Sequence, residues 1–174
     1  MIDFTNIDYL EIGNTKQQAV SRLFTKYRIF QILESYQPIL AGTIPIEIDI
    51  DSSDLDILCC VANAAEFKEI LQNEFSNHEK FELVETLTNG LPTIICRFVL
   101  ENFSIEIFGQ NKASDKQQAY RHMLVEYRLL QEKGNDFRQK IIALKQQGIK
   151  TEPAFALLLD LKGNPYEAML VLEK

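Results

Sequence analysis

The chain has no long apolar run, and its first residues lead us to expect no secretory signal. None of its stretches approaches the roughly 20 consecutive apolar residues that a membrane-spanning helix requires. Its first residues include acids where a secretory signal would carry Lys or Arg. We therefore expect a soluble, cytoplasmic protein that makes no membrane contact.

A basic run is also absent. The chain carries 18 Lys and Arg against 25 Asp and Glu, which gives a formal net charge of −7. The Lys and Arg residues are scattered, whereas proteins that bind duplex nucleic acid usually present a basic stripe. Nucleic acid is therefore disfavoured as the main partner, although a local pocket could still be basic.

The number and spacing of cysteine and histidine favour neither a disulfide framework nor a zinc site. The three cysteines are Cys59, Cys60 and Cys96, and the two histidines, His78 and His122, are far apart in the chain. An odd cysteine count does not suggest paired bridges, and adjacent cysteines point to opposite faces of a strand, which makes a poor chelate. Buried free thiols are expected, and a redox or zinc protein is disfavoured.

The residues that are present predict a mixture of helix and strand in the first part of the chain and helices in the second. A helix begins at Thr15, where Thr15 and Gln18 have capping-box spacing. Asn89-Gly90 and Glu101-Asn102 predict turns between strands. The predicted strands cover residues 39–42, 55–61, 81–87, 93–100 and 103–108. The result is an α+β fold with a mixed β-sheet, flanking helices and a helical C-terminal half.

This pattern also predicts how the chain is organised. Residues 1–110 are expected to form an α/β core, and residues 111–174 a helical part packed on it. No linker-like or repetitive segment separates the two parts. We therefore expect one compact unit.

The stretch that is most informative about function contains Asp54-Leu-Asp56 at the start of an apolar strand. Because side chains alternate along a strand, Asp54 and Asp56 point to the same face. No basic residue lies near them in sequence, so a divalent cation is a natural counter-charge for the two carboxylates. Magnesium accepts oxygen ligands from protein, phosphate and water together, which suits a site that handles a nucleoside triphosphate.

The arrangement resembles the signature of the DNA-polymerase-β-like nucleotidyltransferase superfamily. In that signature a Gly-Ser or Gly-Gly pair precedes, by about ten residues, an Asp-x-Asp flanked by apolar residues, and a third carboxylate follows on a later strand. The matching elements here are Gly42-Thr43, Asp54-Leu-Asp56 and Ile105-Glu106-Ile107. The resemblance implies that Asp54, Asp56 and Glu106 hold one or two Mg²⁺ (or Mn²⁺) ions. It also implies that Gly42 and Thr43 lie against the nucleotide phosphates.

Two departures from the signature bear on activity more than on fold. Thr43 stands where Ser or Gly is usual, so the hydroxyl is kept but the added methyl narrows the turn. The connecting segment also contains Pro45 and two further acids, Asp49 and Asp51, which could compete as ligands or simply be solvated.

Glu106 has two readings. If Glu101-Asn102 is the hairpin turn, Arg97 lies directly opposite Glu106, and opposite charges across strands stabilise a sheet. The pair is then purely structural. In the functional reading Glu106 binds metal, while Arg97 steadies it or reaches a phosphate oxygen.

The helical tail offers possible acceptor-side residues. Arg121 and His122 could line the acceptor side of a cleft, although a half-buried pair of His122 with Glu126, four residues on, is the plainer reading. Gln118-Ala-Tyr-Arg121-His122-Met and Gly148-Ile-Lys150-Thr-Glu152-Pro-Ala also look like a diverged bacterial branch of the superfamily.

Two functions from different classes follow. The first is a metal-dependent nucleotidyltransferase that moves a nucleoside monophosphate from a nucleoside triphosphate to an unknown acceptor, a small molecule or a protein rather than nucleic acid. The second is a catalytically inactive nucleotidyltransferase-fold protein that serves as a nucleotide-binding or protein-interaction module, since a fold does not dictate an activity.

Overall fold

The computed structural model describes residues 2–173, which divide into two compact units. The first unit runs to Ala41 and resumes over Asp54–Gln117. The second consists of Gly42–Ser53 and the chain from Gln118 onward. The prediction that residues 111–174 pack on a 1–110 core as one compact unit stays a prediction.

The first unit is built on a five-stranded mixed sheet. Its strands are β1 (Ile39–Ala41), β2 (Leu55–Cys60), β3 (Glu79–Thr88), β4 (Leu91–Leu100) and β5 (Phe103–Gln110). Their order in the sheet is β1-β2-β5-β4-β3, with β2 and β5 parallel and every other pair antiparallel. The α+β class and the mixed sheet predicted from the sequence are therefore confirmed.

Two short turns set the register of the three longest strands. Asn89 has φ 53° and Gly90 has φ 76°, so both take the positive φ that a tight hairpin turn needs. Strands β3 and β4 then pair from Thr88↔Leu91 inward, and β4 and β5 pair from Leu100↔Phe103 inward. Both turns predicted from the sequence are confirmed.

Helices α1 (Thr15–Tyr27), α2 (Ile29–Ile32) and α3 (Ala64–Phe75) complete the first unit. Its largest buried side chains are phenylalanines, and the rings of Phe75 and Phe98 stack with centroids 4.7 Å apart. Gly109 lets β5 approach α3, because a Cβ there would lie 2.4 Å from Phe67. Residues of both helix and sheet thus provide the aromatic core of this unit.

The capping prediction at the first helix is wrong in its register. The helix does begin at Thr15, but its cap is Asn14, whose side chain accepts hydrogen bonds from the amides of Lys16 and Gln17. Gln17 in turn accepts from the Asn14 amide at 2.9 Å. Gly13 makes this possible, since a Cβ there would lie 2.1 Å from Oε1 of Gln17. Asn14, one residue upstream, therefore takes the role assigned to Thr15.

The second unit is helical apart from one irregular segment. Its helices are α4 (Gln118–Lys133), α5 (Asn135–Gln146), α6 (Thr151–Leu158) and α7 (Pro165–Val171). The irregular part is Gly42–Ser53, in which Ile44, Ile46 and Ile48 are each at most 1% exposed. This unit therefore buries a segment that is remote in sequence from its helices.

The cysteines behave as ordinary interior residues. Cys59, Cys60 and Cys96 are free, Cys59 and Cys96 being buried and Cys60 half-buried. Burial raises the pKa of the Cys59 thiol far above its usual range and that of Cys96 to about 12. Both thiols are thus protonated at neutral pH, a state that does not favour redox or nucleophilic chemistry.

Candidate functional site

The sheet places Asp56 beside Glu106. In the parallel pairing of β2 with β5, Asp56 is the register partner of Glu106. Leu55 and Ile57, the neighbours of Asp56 in β2, are fully buried, whereas Asp56 itself is half-buried. Because facing residues of adjacent strands point to the same side of a sheet, the two carboxylates share one face. A carboxylate pair from separated parts of the sequence is thus assembled by the strand order.

An arginine bridge lies on the same face. Arg97 of β4 is the register partner of Glu106 and donates from Nε to its Oε2 at 2.7 Å. Its Nη1 also donates to Oε2 of Glu82 in β3 at 3.0 Å. The Arg97–Glu106 pair predicted from the hairpin is confirmed, while the role of Glu106 as a metal ligand stays a prediction.

Glu82 was missed by the sequence reasoning, although a signal for it exists. A two-residue turn at Asn89-Gly90 fixes a register in which Glu82 faces Arg97, which the structure shows. The same counting from Glu101-Asn102 places Arg97 opposite Glu106. Arg97 therefore sits between two carboxylates, an arrangement that both turns together encode.

Asp54 lies immediately before β2 and is exposed. Among residues 2–173, no group of three or more His, Cys, Asp or Glu side chains is arranged to hold a metal ion. One oxygen of Glu106 is engaged by Arg97. The carboxylates present therefore do not form a closed protein cage. Asp56 and Glu106, which share one sheet face, are the carboxylates that could hold a cation jointly with phosphate and water ligands, the way Mg²⁺ commonly binds.

The Gly42–Ser53 segment of the second unit carries the predicted phosphate-contacting pair. Gly42, the residue that follows β1, has φ 83°, a conformation that favours glycine. The hydroxyls of Thr43 and Ser53 are hydrogen-bonded at 3.1 Å, and the Ser53 hydroxyl also accepts from the Ile50 amide at 3.0 Å. The two ends of the segment are thus tied together through their side chains.

The predicted acceptor-side residues have partners inside the second unit. Imidazole Nε2 of His122 lies 3.0 Å from the Tyr166 carbonyl oxygen, and Nδ1 lies 3.4 Å from Oε1 of Glu152. Arg121 forms a bidentate ion pair with Glu173. His122 is 5% exposed. These contacts account for both side chains structurally, and their acceptor-side role stays a prediction.

A buried acid lies on the same helix. Glu126 of α4 is 3% exposed, and burial, with a smaller contribution from the charge of Glu152, raises its pKa to about 8. The charge of Lys145, which is 6% exposed, acts in the opposite direction. The sequence signal for this residue was its place on the apolar face of α4, between Met123 and Leu130.

One family matches the chain over residues 22–172, and its description is "Domain of unknown function (DUF4269)". The chain belongs to the DUF4269 family. No curated protein matches this DUF4269 chain.

Solved structures resemble the DUF4269 chain in fold. The Cid1 poly(U) polymerase bound to Mg 3′-dATP superposes with a TM-score of 0.53 at 14% identity, covering 90% of this chain and 48% of that one. The GLD-2/RNP-8 complex gives 0.52 at 14%, with 87% and 57% covered. The polymerase core of TRAMP, an RNA surveillance complex, gives 0.51 at 12%, with 90% and 49% covered.

These likenesses establish a nucleotidyltransferase-like fold for the DUF4269 chain. At such low identity the resemblance concerns the fold alone. The chain spans about half the length of the structures that it matches. Within residues 2–173, no helix combines the length and the apolar character that crossing a bilayer demands.

Proposed function

We propose that this protein is a metal-dependent nucleotidyltransferase that moves a nucleoside monophosphate from a nucleoside triphosphate to a small-molecule or protein acceptor. The observation that carries the proposal is the pairing of Asp56 with Glu106 across β2 and β5, on a nucleotidyltransferase-like fold. A divalent cation bound to both carboxylates would add a counter-charge to the one that Arg97 provides at Glu106.

The metal assignment rests on the carboxylates of the sheet. Asp54, Asp56 and Glu106 would hold Mg²⁺ or Mn²⁺ together with oxygens of the triphosphate, because Mg²⁺ commonly takes phosphate and water ligands in addition to one or two carboxylates. When bound, the cation supplies charge neutralisation at the phosphate and favours deprotonation of an acceptor hydroxyl. Arg97 orients Glu106 through their 2.7 Å hydrogen bond or contacts a phosphate oxygen directly.

The remaining roles belong to residues that touch the substrates. Gly42 would let its backbone approach the phosphates, and the Thr43 hydroxyl would donate to a phosphate oxygen. Asp56 or Glu106, whichever lies nearer the acceptor oxygen, would take the proton of that hydroxyl. Arg121 and His122 remain the proposed acceptor-side residues.

The acceptor class follows from charge. A net charge of −7 without a basic run opposes binding to a polyanion, so we favour a small molecule or a protein over nucleic acid. Cid1 is named a poly(U) polymerase, and RNA is therefore a necessary arm of any acceptor screen. A cytoplasmic location and a bacterial branch of the superfamily are further parts of the proposal, taken from the sequence.

A second candidate function is a catalytically inactive nucleotide-binding or protein-interaction module. Two observations favour it. The described residues contain no group of three metal-ligating side chains, and Glu106 is already paired with Arg97. A triphosphate can bind such a site without being turned over.

Ligand-induced stabilisation tests the binding step. With Mg²⁺ and a nucleoside triphosphate at 100 times its Kd, the free energy of unfolding should rise by about 2.7 kcal/mol, measured as an increase in Tm. Asp54→Asn and Asp56→Asn should abolish this increase. Asp160→Asn is the control, because Asp160 is an exposed acid that pairs with Lys162, takes no part in the proposed site and should leave the increase intact.

Transfer is tested separately. Release of pyrophosphate should accompany incorporation of α-phosphate label into one class among small hydroxyl compounds, proteins and RNA oligonucleotides. Stabilisation without turnover would favour the inactive module. The absence of any Mg²⁺-dependent stabilisation by the four ribonucleoside triphosphates would contradict the transferase and the nucleotide-binding module, and would leave the protein-interaction module as the remaining candidate.

A further inference from the structure

The Gly42–Ser53 segment is fastened to α5 by two cations. Arg138 donates from Nη1 to the carbonyl oxygen of Ile46 and, at 3.0 Å, to that of Glu47. Lys145 donates from Nζ to the carbonyl oxygen of Ile48 at 2.7 Å. Three consecutive carbonyls of an irregular segment thus accept hydrogen bonds from charged side chains of one helix.

Lys145 is connected to Thr43 through hydrogen bonds of one residue, Ile48. The carbonyl of Ile48 accepts from Lys145, and the amide of the same Ile48 donates to the Thr43 carbonyl at 3.1 Å. The Thr43 hydroxyl is in turn bonded to that of Ser53. Holding Ile48 in place therefore also fixes the backbone at Thr43.

These contacts between α5 and the Gly42–Ser53 segment have an energetic cost, which points to a specific role for the two cations. Lys145 is 6% exposed, and placing an ammonium group in the interior carries a desolvation penalty that only close polar partners offset. Glu47 adopts φ 60°, a strained conformation for a residue with a side chain, and Arg138 contacts its carbonyl. An apolar side chain in place of either cation would avoid burying a charge, but it would leave these carbonyl oxygens without their donors. The cations therefore hold one conformation of the segment.

We propose that Arg138 and Lys145 are positioning residues that keep the Gly42–Ser53 segment in the conformation that binds the phosphates of a nucleoside triphosphate. The proposal rests on the function proposed above, since it assigns the phosphate contact to Gly42 and Thr43. Neither cation needs to touch the nucleotide. Each acts through the backbone, by reducing the number of conformations that the ligand would otherwise have to order.

The test compares Arg138→Met, Lys145→Met and the control Lys140→Met, in which an exposed lysine of the same helix is replaced. Hydrogen exchange is measured on the free proteins at the Ile48 amide. Affinity is measured by calorimetry with Mg²⁺ and the α,β-methylene analogues of the four ribonucleoside triphosphates. Thermal unfolding without ligand identifies any variant that fails to fold.

In Arg138→Met and Lys145→Met we expect faster exchange at Ile48 and a Kd for the analogue raised about tenfold or more. Lys140→Met should match the parent in both measurements. Arg138→Lys, which keeps a donor and a charge, should recover part of the affinity. A purely structural role would lower Tm without changing the Kd of the folded variants.

Three results would overturn the inference. If the parent binds an analogue and both methionine variants bind it with the same Kd, the positioning role is wrong while the proposed function stands. If the parent binds none of the four analogues, the inference and the proposed function fail together. Unchanged exchange at Ile48 in both variants would show that the cations do not hold the segment.

Discussion

Replacing Glu126 by Gln should remove a pH dependence of stability that the buried carboxyl creates. Burial raises the pKa of Glu126 from 4.5 to about 8, with Glu152 adding to the shift and Lys145 opposing it. A group whose pKa is raised by folding binds its proton more tightly in the native state. Its contribution to stability is therefore fully present below pH 4.5 and is lost as the pH rises to about 8.

The size of this loss in the free energy of unfolding follows from the size of the pKa shift. Each pKa unit corresponds to about 1.4 kcal/mol, so the full change across this window is at most about 5 kcal/mol. Below pH 4.5 the carboxyl is neutral in both states, and the native protein incurs no penalty. Above pH 8 the carboxylate must be buried with its charge, and the penalty is constant. Gln has nearly the same shape and no charge at any pH.

The assay is urea unfolding of the parent and Glu126→Gln at pH values from 5 to 9. The difference in free energy of unfolding between them should move steadily in favour of the variant as the pH rises, and should level off near pH 8. Glu132→Gln on the same helix is the control, since Glu132 is exposed and paired with Arg128. Parallel pH profiles for the parent and Glu126→Gln would refute the reasoning.

Two further predictions concern the first unit. Gly109→Ala places a Cβ 2.4 Å from Phe67 and 2.8 Å from Val61, and should destabilise the protein by about 1–3 kcal/mol in urea unfolding, with partial recovery in the double variant that adds Phe67→Leu. If the double variant regained none of the lost free energy of unfolding, a steric cause would be wrong. Asn14→Ala removes the cap bonded to the amides of Lys16 and Gln17 and should cost about 1 kcal/mol, read as a lower urea midpoint, whereas Asn14→Asp should be nearly neutral. Equal losses in the two variants would contradict a capping role.

The sequence alone was sufficient to predict strand register wherever a short turn controls it. Asn89-Gly90 and Glu101-Asn102 are turns of two residues, and a turn of known length fixes the register of the strands that it joins. The pairing of Arg97 with Glu106 followed from such a turn. The first helix shows the limit of local patterns, since Thr15 and Asn14 both suit an N-cap and the packing of Gln17 over Gly13 decided between them.

Contacts between distant parts of the chain were decided only by the tertiary structure. Asp56 meets Glu106 because β2 and β5 lie side by side in parallel, and no turn of the chain dictates that neighbour. Likewise, Lys145 donates to the carbonyl oxygen of Ile48, and Glu126 is buried away from water. Both follow from the packing of the helices of the second unit with a segment that precedes them by many residues. Burial and long-range pairing depend on the path of the whole chain. The sequence by itself therefore determined the elements, the turns and the residue types available for chemistry, while the fold determined which charged groups meet and which of them are withdrawn from water.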